Sequence, residues 1–133
     1  KGVLNKNVFI LDSVSKNELP QLYFESDMGS SFVISVRELW ANSANKFFDT
    51  LAACKPILIN HEGWQKEKII QENIGYVLPT VLNKDEIKRF SIYSQNNTLI
   101  AKQRKNALNV AKERYAIDKA LIKYNEVFKN IIS

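Results

Sequence analysis

Four apolar residues in a row, Pro56-Ile57-Leu58-Ile59, stand between Lys55 and the polar Asn60. A strand that is apolar at every position buries both of its faces, which is the habit of a parallel sheet covered by helices. Parallel neighbours need crossover connections of a dozen or more residues, usually helical. The run therefore predicts strands and helices in alternation around it, and the sequence supplies them. Asn7-Val8-Phe9-Ile10-Leu11-Asp12 reads as a buried strand, and residues 15–26 read as a helix. Ser15 with Glu18 three residues later has the form of a capping box, while Pro20 moves the helix start toward Asn17, with the proline in the first turn. Leu19, Leu22 and Tyr23 then share one face. Residues 28–35, with β-branched Val33 and Ile34, read as the next strand, and residues 37–42 as a loop.

Ser43-Ala44-Asn45-Lys46 opens a second helix with an apolar face of Phe47, Phe48, Leu51 and Ala52, which stops before Lys55-Pro56. After the apolar strand come a loop at residues 61–64, a helix at 65–72, and the strand Gly75-Tyr76-Val77-Leu78-Pro79. The order β-α-β-α-β-α-β predicts an α/β fold, Rossmann-like, with three α/β/α layers and a small parallel sheet. The second half has no Gly or Pro after Pro79. Residues 83–90, 99–114 and 117–132 read as helices, with a break at Gln95-Asn96-Asn97 and a bend near Tyr115. The 133 residues make one domain, divided by this pattern into a core at 7–82 and a helical C-terminal tail at 83–133.

Composition narrows the classes. Hydrophobic residues at 45% and charged residues at 25% exclude a disordered chain. The single Cys54 excludes a disulfide framework and a cysteine-based zinc site. The apolar runs are far shorter than the ~20 residues that cross a bilayer. No signal-peptide pattern is visible, and a bridge-free chain suits the cytoplasm. The net charge of +5 favours anionic partners: nucleotides, nucleic acid or an anionic membrane surface.

In an open parallel sheet, ligands sit beyond the carboxyl ends of the strands, at helix N-termini. The helix opened by Ser43-Ala44-Asn45-Lys46 is such a place, since its first amides and positive dipole end suit a phosphate. Lys46 adds a charge, Ser43 and Asn45 add neutral donors, and Asp49 lies one turn on, where a carboxylate can accept hydrogen bonds from a ribose diol. The same residues also read as an N-cap serine, a solvated lysine and an acid favoured by the dipole.

Ser43-Ala44-Asn45-Lys46-Phe47-Phe48-Asp49 with Ala52 and Lys55-Pro56-Ile57 resembles the Ser-Pro-Asn-Lys-x-Phe-Glu/Asp…Ala-x-Gly-Lys-Pro-Val signature of family four retaining glycosyltransferases, enzymes of the glycosyltransferase-B fold. The likeness continues through Asn60-His61-Glu62-Gly63-Trp64 and Glu72-Asn73-Ile74-Gly75-Tyr76-Val77 and reaches back to residues 7–14 and 19–23. It implies a donor-binding domain for a nucleotide-diphosphate sugar, with UDP-sugar expected, and no metal or other cofactor. Under it, the loop at Ser13-Val14 meets the base, the backbone at Asn45-Lys46-Phe47 meets the diphosphate, and Asp49 matches the second acid of a paired-acid motif that holds the ribose hydroxyls. Glu38, His61, Glu62, Gly63 and Trp64 become candidates for the donor sugar. The acceptor, a glycan or lipid-linked sugar of bacterial surface polysaccharide, would belong to an N-terminal domain that this sequence does not include. The opening Lys1-Gly2-Val3-Leu4 reads as the end of a helix.

This chain departs from the pattern in four places. Ala41 stands where the first acid is expected, with Glu38 the nearest substitute. Ala44 replaces a proline, Cys54 replaces a glycine, and Glu62 replaces a second glycine. If position 54 needs a positive φ, a non-glycine residue costs roughly 1 kcal/mol there. Glu62 near a diphosphate would weaken binding unless it meets a sugar hydroxyl or a lysine.

Other constellations are weaker. His61 has no partner acid at a known spacing and reads as structural. Cys54, at a helix–strand turn, reads the same way. Trp40 and Trp64 read as packing anchors, with sugar stacking as the sharper alternative. Lys102, Arg104, Lys105, Lys112 and Arg114 read as a solvated face, or as one drawn to the anionic inner face of a membrane at ~1 kcal/mol per basic residue. Nucleic acid is not expected as a partner, because no aromatics interleave with these charges. The last helix carries Ile117, Ala120, Leu121, Tyr124, Phe128 and Ile131 or Ile132 on one stripe, a packing face for the core or for the absent N-terminal domain, and too short for a coiled coil.

Overall fold

The computed structural model describes residues 3–4 and 6–132. Gly29–Ser31 (β1), Ile57–Ile59 (β2) and Gly75–Val77 (β3) form a parallel sheet in the order β1-β2-β3, with Ser30, Leu58 and Tyr76 in register. The fold is α/β. Helices follow in the chain as Leu19–Glu25 (α1), Asn45–Ala52 (α2), Trp64–Glu72 (α3), Lys84–Ser94 (α4), Asn97–Val110 (α5) and Ile117–Ile132 (α6). Residues 37–42, expected as a loop, contain a 3-10 turn at Arg37–Ala41, and a π turn at Ala111–Tyr115 follows α5.

All three residues of β2 are buried, as a wholly apolar run requires. Ile57 and Ile59 point to one side, where they meet Phe47 and Leu51 of α2, Ile69 of α3 and Ile74. Leu58 and Tyr76, one residue out of phase, lie on the other face, where Phe90 and Tyr93 of α4 pack on the Tyr76 ring. Gly29 lets α2 approach β1, because a Cβ there would run into the Thr50 side chain.

Both crossover helices end alike. Cys54 (φ 59°) follows α2 and Asn73 (φ 49°) follows α3, each in the left-handed region. The amides of Cys54 and Lys55 donate to Leu51 O and Thr50 O, and those of Asn73 and Ile74 donate to Ile70 O and Ile69 O. Both pairs are Schellman closures. The condition attached to Cys54 in the sequence is therefore met.

Two expectations fail. The strand at residues 7–12 does not form. The amides of Lys6, Asn7 and Val8 all donate to Val3 O, so the chain reverses there instead of extending, and among the described residues its only strand-like pairing is an isolated bridge between Leu4 and Val8. Ile10 is left 81% exposed. The helical ending proposed for residues 1–4 does not appear at Val3 and Leu4, while Lys1 and Gly2 lie outside the described residues.

The second correction concerns the tail. Helix α5 belongs to the interior, since Ala107 and Val110 complete the cluster around Phe47 and Ile57. Its buried Gln103 accepts from the Tyr93 hydroxyl (2.6 Å) and donates to Gly75 O and Asn73 Oδ1 (2.9 and 3.0 Å). That network satisfies the Gly75 carbonyl at the start of β3. Only α6 stands apart: Ala116 is extended (ψ 144°) and separates it from the π turn. Among the described residues, no helix is long and apolar enough to cross a membrane.

Candidate functional site

Helix α2 begins without a side-chain cap. Its N-cap position is Ala44, not Ser43, and no side chain bonds the first amides. Phe47 N–H already donates to Ala44 O (3.0 Å), so the unclaimed amides are those of Asn45 and Lys46. The capping-serine reading of Ser43 fails, and the serine is exposed. Phe47 is fully buried, which removes its side chain from any site.

Asn45, Phe48, Asp49 and Ala52 fall at i, i+3, i+4 and i+7, one face of α2. That face lines a cavity of about 600 Å³ whose other wall is Lys16 with Leu19, Pro20 and Tyr23 of α1. Pro20 in the first turn of α1 and the Ser15 amide bonding Glu18 Oε2 (2.8 Å) fix how the chain enters that wall. The Ser15 hydroxyl and amide hold the Glu18 carboxyl below the usual carboxylate range. On the far side, the Lys55 ammonium donates to Phe24 O (2.9 Å) and ties α1 to the turn before β2. Asp49 forms no ion pair among the described residues. The cavity thus joins an apolar cleft lined by three aromatic residues, Tyr23, Phe24 and Phe48, to a free carboxylate, an amide side chain and an open helix N-terminus.

The other candidates are not brought there. Ser13 and Val14 are exposed and do not line the cavity, although Lys16 close behind them does. Lys46 is exposed on the neighbouring face of α2. Glu38 is exposed in the 3-10 turn, beside Ala41. His61 is buried, and its Nδ1 pairs with Glu62 O (2.9 Å), a structural role. Glu62 is ion-paired to Lys66 at 2.8 Å, which answers the charge it brings. Gly63 (φ 96°) lies under Trp40, whose carbonyl oxygen would stand 2.7 Å from an added Cβ. Trp64 stacks on Phe48 and meets Phe47 edge-on, with Tyr115 of the π turn closing the group. It is a packing anchor. Burial pushes the Tyr115 hydroxyl pKa up.

Two polar clamps were missed. Asn60 Oδ1 accepts from Val33 N–H while its Nδ2 donates to Val33 O, both at 2.9 Å, joining the carboxyl ends of β1 and β2. Buried Gln65 donates to Asn42 O (3.0 Å) and fixes the turn ahead of α2. The only signal was a polar residue directly after an apolar strand or an aromatic helix start. The basic cluster is also broken up: Arg104 pairs with Asp27 (2.7 Å) and Arg114 with Glu72 (2.9 Å). Among the described residues, no three His, Cys, Asp or Glu side chains gather as a metal site would need. Comparison of the chain with family models, curated proteins and solved structures gave no match.

Proposed function

We propose that this chain is the donor-nucleotide-binding part of a retaining glycosyltransferase, taking a UDP-sugar, with a separate N-terminal domain for a glycan or lipid-linked acceptor of surface polysaccharide. The observation that carries the reading is the cavity between α1 and α2, where Asn45 and Asp49 face an apolar cleft beside an uncapped helix start. In this reading Tyr23 and Phe48 take the flat base, Asp49 accepts from the ribose diol, and the amides of Asn45 and Lys46 with the Lys46 ammonium meet the diphosphate. Their share of catalysis is to oppose the charge that grows on the departing diphosphate. Ser13 and Val14, just ahead of Lys16, would close over the base. The sheet would then be the centre of a Rossmann-like three-layer domain, acting at the cytoplasmic face of a membrane without a metal.

Calorimetric titration of the purified chain with UDP tests this. Measurable heat is expected, lost with Asp49→Ala and reduced with Lys46→Ala, while circular dichroism stays unchanged. Uridine should bind more weakly than UDP and be indifferent to Lys46→Ala. A chain that takes up no UDP refutes the reading.

One observation favours a second reading, a nucleotide-binding module without catalysis. Ala41 carries no acid and Glu38 points no carboxylate into the cavity, so the sugar end of the site is bare. Equal affinity for UDP and for several UDP-sugars would select that module.

A further inference from the structure

The apolar side chains of α6 form an uncovered stripe. Ile117, Leu121, Tyr124, Phe128 and Ile131 recur at helical spacing, and all are exposed, Phe128 at 57% and Ile131 at 73%. With Ala120 and Val127 they occupy an arc of roughly 120° at 100° per residue, and Asp118, Lys119, Ile122, Lys123, Asn125, Glu126, Lys129 and Asn130 fill most of the rest. The extended Ala116 lets this helix leave the body as a separate rod of about 24 Å.

Charge says what covers it. Residues 97–133 contain eight Lys and Arg against Glu113, Asp118 and Glu126, a balance of +5. That equals the net charge of the whole chain, so residues 1–96, with eleven basic and eleven acidic side chains, are neutral. Arg104 and Arg114 are paired to Asp27 and Glu72, which leaves six lysines against the three acids of this stretch; α6 itself holds Lys119, Lys123 and Lys129 against Asp118 and Glu126, a balance of +1. An exposed apolar arc with lysines on its polar side is the pattern of a helix lying in a lipid interface, its lysine stems reaching up past the apolar face to the headgroups. A second copy fits poorly. Sixteen residues give barely two heptads, and the arc is wider than a coiled-coil seam.

We propose that α6 docks in the plane of an anionic bilayer, with Leu121, Tyr124 and Phe128 among the acyl chains and the lysines at the headgroups. This does not depend on the donor site.

Flotation of the full chain with vesicles tests it. The chain should float with equimolar phosphatidylglycerol and phosphatidylcholine in 0.1 M salt, and at least about fivefold less in 0.5 M salt. It should stay behind with pure phosphatidylcholine. Phe128→Asp should reduce flotation about tenfold or more with circular dichroism and UDP binding unchanged. Lys119→Glu with Lys123→Glu should weaken it similarly. A Phe128→Trp probe should shift its emission to the blue with the anionic vesicles. The proposal falls if the chain ignores anionic vesicles or floats equally with neutral ones. It also falls if sedimentation shows a dimer that Phe128→Asp dissolves.

Discussion

The interior and the two ends of this chain are both rich in apolar residues, yet only the interior is packed. Phe47, Leu51, Ile57, Ile59 and Ile74 are fully buried, whereas Val8, Phe9, Ile10 and Leu11 at one end and the stripe of α6 at the other stand in solvent. The two ends also differ from each other. Helix α6 forms without a neighbour, because a helix closes its own backbone hydrogen bonds. Residues 7–12 form no strand, because a strand's amides need a second strand beside them. Apolar pattern thus names the kind of element, and packing decides whether a strand exists.

Truncating one aromatic in each region tests this contrast most strongly. Phe47 touches Phe48, Trp64 and Tyr115 and has no exposed surface. Phe47→Ala should destabilise the chain by about 3–5 kcal/mol in urea unfolding. Phe9→Ala and Phe128→Ala should each stay within about 0.5 kcal/mol. A large loss at Phe9 would mean that the N-terminal segment packs in solution, and the contrast between interior and end would collapse on that side.

How far the sequence could be read follows the same division. The Pro56–Ile59 run, the Asn45–Ala52 and Trp64–Glu72 helices and the strand at Gly75 carry their own local signals: apolar period, caps and breakers. The break at Gln95–Asn96 was legible because Asn96 caps α5 through Leu99 N–H (3.0 Å). The place of α5 was not legible. Ala107 and Val110 look like any helix face, and only the folded chain shows that they fill the space beside Phe47 and Ile57. Asn45 and Asp49 line one cavity together because the helix period alone puts them on one face. His61 and Trp64 are structural, as their sequence setting predicts, but their partners and that of Glu62, namely Glu62 O, Phe48 and Lys66, depend on side-chain directions that spacing does not fix.

A pH dependence sharpens the picture of the interior. Burial pushes the Tyr93 hydroxyl up to about 12, with Tyr76 adding to the rise. The unfolded chain loses that proton near 10. The folded state therefore holds the proton more tightly, so this contribution to stability is complete below about pH 10 and disappears as pH rises through about 12. The urea midpoint should be flat between pH 8 and 10 and fall above. Tyr93→Phe should flatten that alkaline fall. At neutral pH the same change should cost about 1–3 kcal/mol, because Gln103 Oε1 loses the hydroxyl that donates to it. An unchanged alkaline limb in Tyr93→Phe would place the titrating group elsewhere.

The smallest effect lies at the ends of the two crossover helices, where the same closure is built from different residues. Asn73 tolerates the left-handed region, because its short amide can bond locally. Cys54 has no such compensation at φ 59°; its Sγ reaches only Ala52 O, at 3.9 Å. Cys54→Gly should therefore raise stability by roughly 1 kcal/mol, even though glycine also adds freedom to the unfolded chain. Asn73→Gly should gain less or lose, since Asn73 Oδ1 accepts from Gln103 Nε2. If both substitutions stabilise equally, the strain is set by the closure itself, and the hydrogen bond to α5 contributes nothing measurable. If only Cys54→Gly stabilises, the packed interior contains one residue whose backbone it overrides, a cost that neither loosely placed end has any packing to impose.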